Sequence, residues 1–271
     1  MDKELTREIR TYAESLGADV MGVASVEKVE MIIPHDLQKP TKVLPGAKTV
    51  VVFGVGMLYG ALEGEEVDLM RYMAMETNLK IDRMGFDLAK FIEARGYLAI
   101  NITSGLPVDF AKREKGMWGY ISHRHLAVEA GLGEIGLNNS FLHERFGPRI
   151  YLGSVITTAP LEFATEKKEG ICLGEDCFLC VEACPAKSLR GDGTNDVAKC
   201  RRFAQPYGLA RLLRFVRDLS SEGDLEKRKG MLYSLDSFYL WQSLVTRLGV
   251  FGGCFECIKV CPVGAKEDVR A

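Results

Sequence analysis

All eight cysteines of this 271-residue chain lie after residue 170, and their spacing constrains the fold more than any other feature. The first group reads Cys172-x4-Cys177-x2-Cys180-x3-Cys184-Pro185. The second reads Cys254-x2-Cys257-x3-Cys261-Pro262, and Cys200 stands alone between them. In the bacterial C-x2-C-x2-C-x3-C-P run, the close spacings wrap a loop around one cubane and the fourth cysteine reaches a second. Each group here departs from that run at its first cysteine, where the ideal positions are Gly174 and Phe251. Cys172 lies two residues upstream of Gly174, and Cys200 is the simplest substitute for Phe251. The spacing therefore predicts two 4Fe–4S clusters. Cys172, Cys177, Cys180 and Cys261 would hold one, and Cys184, Cys200, Cys254 and Cys257 the other.

Competing uses of cysteine fit less well. Structural zinc takes four-cysteine sites built from paired Cys-x2-Cys knuckles, without the Cys-x3-Cys-Pro step. A plant-type 2Fe–2S centre shares C-x4-C-x2-C but explains neither Cys184-Pro185 nor the second group. A disulfide scaffold calls for a secreted and usually shorter chain. The N-terminus MDKELTREIR has no apolar h-region or twin-arginine signal, which predicts a cytoplasmic location. The apolar stretch from Ser237 to Thr246 is too short to span a bilayer. A formal net charge of −2 gives no global basic field, so neither a membrane nor a nucleic-acid partner is expected.

Before the cysteines the pattern is α/β. Leu5, Ile9, Tyr12 and Leu16 recur at helical spacing, with Gly17 as the stop. Strands are predicted over 18–26, 49–57 and 97–102, with a second amphipathic helix marked by Ile81, Met84, Leu88 and Ile92. Gly54-Val55-Gly56 at a strand end lacks the remainder of a dinucleotide fingerprint, so it reads as close packing. Leu126–Ala130 reads as helical and 150–158 as an alternating strand. Between them Gly131, Gly133 and Gly136 free the backbone either for tight turns or for close approach to a large flat ligand. His123 and His125 lie two apart, which on a helix separates their faces, and no acidic ligand set accompanies them. They read as helix-start or core histidines. Residues 208–219 and 225–244 look largely helical, and RLLRFVRD reads as a solvated basic face with a donor-docking surface as the alternative.

The segments AGLGEIG and FGPRIYLGSVITT, followed by the cysteine pattern, resemble epoxyqueuosine reductases and reductive dehalogenases. ESLGADVMGVAS, LPGAKTVVVFGVGM and LAKFIEARGY resemble the matching segments of epoxyqueuosine reductases, so the likeness spans nearly the whole chain. The resemblance implies an α+β chain. A nitroreductase-like α/β core over 1–165 would bind cobalamin. A ferredoxin-like module over 166–271 would hold the two clusters, with a helical insertion at 201–253. It implies a reductase in which the clusters pass single electrons to the corrinoid, fed by a low-potential donor such as ferredoxin or flavodoxin, with the substrate unassigned. Gly131, Gly133 and Gly136 match glycines that lie near the corrinoid in the family.

Two departures from the family qualify this. The catalytic aspartate is replaced by Met117 in an ungapped alignment, and Tyr120 is the nearest proton donor. The C-terminal helical repeats that many epoxyqueuosine reductases use with tRNA are not in this sequence. An accessory electron-transfer protein without an organic substrate, or a reductase with FMN in place of cobalamin, are the alternative readings.

Overall fold

The computed structural model describes residues 1–33, 35–105, 119–246 and 253–265. Its centre is a four-stranded antiparallel sheet in the order β1-β2-β6-β3. These strands are β1 (Val20–Ser25), β2 (Thr49–Gly56), β3 (Ala99–Ile102) and β6 (Ile150–Thr157). A two-stranded hairpin of β4 (Glu134–Ile135) and β5 (Phe141–Leu142) lies apart from it.

Helices cover both faces of the sheet. The period-two alternation of the strands sends Met21, Val23, Val51, Phe53 and Val155 to one side. There they meet Leu5, Ile9 and Ala13 of α1 (Lys3–Ser15) and Ile81, Met84, Leu88 and Ile92 of the α-helix Val67–Glu93. Ala24, Val50, Val52, Leu152 and Ile156 point the other way. They pack on Val26 and Val29 of α2 (Val26–Ile32) and on Leu126 and Ala127 of the helix His123–Glu129. With α3 (Pro40–Val43) and α4 (Tyr59–Glu63) counted, those two long-sheet partners are α5 and α6. Helix α1 starts where Asp2 accepts a hydrogen bond from the Leu5 N–H at 2.9 Å. It stops at Gly17, whose φ of +92° only glycine adopts without strain.

Burial on both faces also explains a difference from the sequence expectation for β6. Its residues are nearly all buried rather than alternately exposed, because a central strand has no solvent side. The predicted helix over 225–244 is likewise two: α10 (Leu225–Leu232) and α11 (Leu235–Thr246), separated at Tyr233 and Ser234. Cys200 stands on α8 (Val197–Ala204), so the helical segment begins ahead of position 201. Helix α9 (Leu209–Ser221) follows it. The two short helices α7 (Leu179–Glu182) and α12 (Glu256–Lys259), one from each cysteine group, lie against each other. Among the described residues no helix is long and apolar enough to cross a membrane.

A third apolar cluster joins the two parts of the chain. Phe255, between two cysteines of the second group, is buried against Met57, Leu62, Met70 and Met73, with Ile258 beside it. Four flexible thioether and aliphatic side chains close around one ring, a use to which methionine is well suited.

His123, at the start of α6, is half-buried. Its Nε2 lies 3.1 Å from the Thr103 carbonyl and its Nδ1 2.8 Å from the Ser154 hydroxyl. The carbonyl can only accept, so Nε2 carries the proton and Ser154 donates to Nδ1. Burial holds the His123 pKa below its ordinary value of 6.5. The unfolded chain therefore binds this proton first as pH falls. The stability that His123 contributes is complete above about pH 6.5 and declines below it. His123→Asn should flatten the acid limb of a stability-against-pH curve measured by urea unfolding. Burial also depresses His125 and His143, so some slope should remain.

Candidate metal centre

Cys172, Cys177, Cys180 and Cys261 line a single cavity, three from the first cysteine group and one from the second. Its other walls are largely apolar and include Leu137, Leu142, Leu173, Phe178 and Val263. Leu137 and Leu142 belong to the β4–β5 segment, so this cavity abuts the α/β core. Burial pushes the Cys180 thiol up, and the sulfurs of Cys261, Cys172 and Cys177 add to the rise.

Cys184, Cys200, Cys254 and Cys257 form the neighbouring set. Burial raises Cys254, with Cys200 and Cys184 among the nearby charges that reinforce it. Burial drives Cys257 up to about 12, and Cys254, Cys200, Cys180 and Cys184 contribute in that order. Cys180 belongs to the first set, so the two sets adjoin. Burial pushes Cys180, Cys254, Cys257 and Cys261 up, and a strongly positive occupant, as iron supplies, would hold such thiols as thiolates. Among the described residues no three His, Cys, Asp or Glu side chains converge as they would around one metal ion. Four sulfurs in each set is the number that a 4Fe–4S cluster takes.

Cys184 differs from the other buried thiols. Burial would raise its pKa, but the Ser188 hydroxyl and the N–H groups of Ser188, Leu189 and Ala186 outweigh it. The Ser188 hydroxyl and N–H both lie 3.3 Å from the sulfur. Donors aimed at a ligand sulfur are a recognised means of tuning a cluster.

Two charged residues connect the core to the cysteine loops. Arg149, just before β6, is fully buried. Its guanidinium donates to the carbonyls of Val263 at 3.0 Å, Lys259 at 3.1 Å and Cys261 at 2.6 Å. The Tyr59 ring lies 5.6 Å from its charge. Beside it, Gly147 (φ +55°) and Gly264 (φ +63°) bring the two backbones into contact, and a Cβ at Gly147 would collide with the Val263 carbonyl. Glu134 accepts hydrogen bonds from the Gly170 N–H at 3.0 Å and from the Cys172 N–H. Asn138 donates to the Cys257 carbonyl at 3.4 Å.

Arg149, Glu134 and Ser188 carry no motif in the sequence. Arg149 is a single cation opening a strand that is otherwise uncharged and mostly buried. Glu134 lies inside AGLGEIG, whose evident signal is its glycines. A Cβ on Gly133 would strike the Leu142 carbonyl and the Phe141 ring, and one on Gly136 would meet Leu142. At Gly131 (φ +68°) it would lie 2.9 Å from the Glu166 carbonyl. Tight packing within the chain thus accounts for all three glycines. Tyr120 packs against the core cluster that includes Ile121 and Leu126. His125 bonds to Ser122 at 2.6 Å, so both histidines sit at a helix start. Met117 and Phe251 lie outside the described residues.

The fold is shared with solved structures of reductases. A selenomethionine-labelled epoxyqueuosine reductase superposes with a TM-score of 0.62 at 18% identity, over 96% of this chain and 66% of that one. An epoxyqueuosine reductase solved with an epoxyqueuosine-modified tRNA stem loop gives 0.58 at 19%, over 96% and 65%. A reductive dehalogenase, whose structure suggests a mechanism for B12-dependent dehalogenation, gives 0.53 at 18%, over 89% and 36%. In sequence, the epoxyqueuosine reductase of Staphylococcus aureus (strain NCTC 8325 / PS 47) is 27% identical over 224 residues. That match covers 74% of this chain and 56% of the relative. The tetrachloroethene reductive dehalogenase of Desulfitobacterium hafniense is 25% identical over 166 residues, 59% of this chain and 27% of that protein. No protein-family model matches the chain. The chain is a relative of the epoxyqueuosine reductases and the reductive dehalogenases, and spans little more than half the length of the former. The tRNA-bound structure stands against the expectation that nucleic acid plays no part.

The Arg149 clamp is testable without any cofactor assay. Arg149→Met leaves three carbonyls without their donor, each costing about 1–3 kcal/mol if it stays buried. Urea unfolding should show a loss of about 3 kcal/mol or more. Arg149→Lys, which keeps the charge but not the fork, should recover only part of it. A Met variant as stable as the wild type would remove the clamp from the account.

Proposed function

We propose that this chain is an iron–sulfur oxidoreductase that holds two 4Fe–4S clusters and delivers single electrons to a corrinoid and an organic substrate. The observation that carries the reading is the convergence of Cys172, Cys177, Cys180 and Cys261 on one cavity against the core. The second group lends Cys261 to the first, as the two-cluster arrangement requires. Cys184, Cys200, Cys254 and Cys257 take the other cluster. The clusters, when bound, supply one-electron chemistry at potentials set by burial and by hydrogen bonds to sulfur.

The chain's own residues divide the remaining work. Apolar walls from Leu137, Leu142 and Val263 keep water from the inner set. Glu134 and Arg149 hold the inner cysteine loops against the core. Ser188 presents donors to Cys184. The corrinoid rests on the relatives alone, one of them described in terms of B12-dependent dehalogenation. Gly131, Gly133 and Gly136, the positions matched to the corrinoid, are packed on the chain itself and present no open cradle. FMN finds no support in these likenesses. The relatives supply two candidate substrate classes for this chain, an organohalide and an epoxide on a tRNA nucleoside.

Three measurements test this reading. Cys200→Ser should lower iron from about eight to about four per chain and leave the spectrum of the other cluster in place. No loss of iron would refute the pairing. Protein isolated anaerobically should carry a corrinoid identifiable by mass spectrometry, and cobalamin titrated into the reconstituted chain should shift its absorbance. Failure of both would leave the electron-transfer reading without its own substrate. With a substrate in hand, Tyr120→Phe should slow turnover about 10²-fold or more at unchanged iron content if its hydroxyl supplies the proton.

A further inference from the structure

We propose that the surface of α8 and α9 docks an acidic one-electron carrier protein, next to the cysteine set that contains Cys200. This rests on the two-cluster reading above and adds where the electrons enter. From Val197 to Arg217 the chain has six basic residues and no acidic one, in a protein whose formal net charge is −2. Cys200 lies inside that run, and Arg201 and Arg202 follow it directly on α8. Arg211 is paired with Asp236 and Arg217 with Asp218. Arg201, Arg202 and Arg214 make no ion pair among the described residues, so their charge is left for a partner.

Apolar side chains lie among these charges. Leu209, Leu213 and Val216 recur at helical spacing along α9 and are 57%, 60% and 48% exposed. Phe203 on α8 is 51% exposed. The opposite side of α9, with Arg211, Phe215 and Asp218, turns toward α10 and α11. The exposed leucines and valine are thus not the helix's own packing face. An apolar strip edged by unpaired arginines matches a protein partner with a hydrophobic centre and an acidic rim. A nucleic-acid face would be more uniformly polar and would offer aromatic rings for bases. The exposed stripe of α9 carries none, and α8 adds only Phe203.

Position supplies the functional argument. The set that contains Cys172 lies against the core through Leu137 and Leu142. The other set takes one of its cysteines from a helix whose neighbouring residues are exposed and positive. A carrier arriving there gives up one electron and is oxidised by one. The adjoining cluster is reduced by one, with no bond made or broken and no proton moved. Opposite charge on the two faces raises the encounter rate and makes it dependent on salt.

The experiment uses the full, anaerobically reconstituted chain and a reduced, strongly acidic plant-type 2Fe–2S ferredoxin as probe, with stopped-flow detection of cluster bleaching. The second-order rate constant should fall as salt rises from about 50 to about 500 mM. Arg202→Glu combined with Arg214→Glu should lower it about tenfold or more at low salt. Leu213→Ser should weaken the complex that the oxidised ferredoxin forms. Reduction by dithionite should be the same in all variants, which shows their clusters intact. A carrier rate indifferent to salt and to charge reversal, with dithionite still effective, overturns the docking face alone. Failure of dithionite to reduce any cluster in the wild-type chain overturns the two-cluster reading and this proposal with it. Charge reversal that spares the carrier rate but abolishes binding of a tRNA stem loop assigns the face to nucleic acid and overturns the proposal.

Discussion

One buried guanidinium holds the two parts of this molecule together. Arg149 leaves the edge of a strand that is otherwise apolar and reaches three carbonyls of the loop that carries Cys261. A buried cation is costly to desolvate, and no carboxylate compensates it among the described residues. The three carbonyls and the Tyr59 face take that role, while Nε has no partner. The arrangement is worth its cost because a cysteine loop has little apolar surface with which to dock. Directional bonds to its backbone fix it where a hydrophobic contact would let it slide.

That anchoring decides which cysteines face the core. With Cys261 held by Arg149 and Cys172 held by Glu134, the inner set is gripped from both cysteine groups. Phe255 adds an apolar plug in the pocket formed by Met57, Leu62, Met70 and Met73. The other set takes Cys200 from α8, with its following arginines.

The glycines illustrate how a sequence signal can have two physical sources. Closely spaced glycines permit either a ligand or another strand to approach the backbone. Here Gly133 and Gly136 lie against β5 of their own hairpin, which explains why a side chain is excluded. Ser188 shows the reverse case. It carried no motif at all, yet its two donors are what separates Cys184 from the other buried thiols.

Much of the fold was legible in the residues because its signals are local. Strand periodicity placed β1, β2, β3 and β6 to within two residues at either end, and Gly17 marked the end of α1, since these depend on neighbours along the chain. The spacing of eight cysteines makes two four-ligand sets possible and is the ground on which each residue is proposed for its set. Other features depended on contacts between distant segments. That β6 is buried on both faces, that Arg149 bonds residues more than a hundred positions away, and that Leu137 and Leu142 wall the inner set came only from tertiary structure. Spacing is a property of one segment and can name ligands. Which set lies against Leu137 and Leu142 is a property of how segments pack, and no local pattern encodes it.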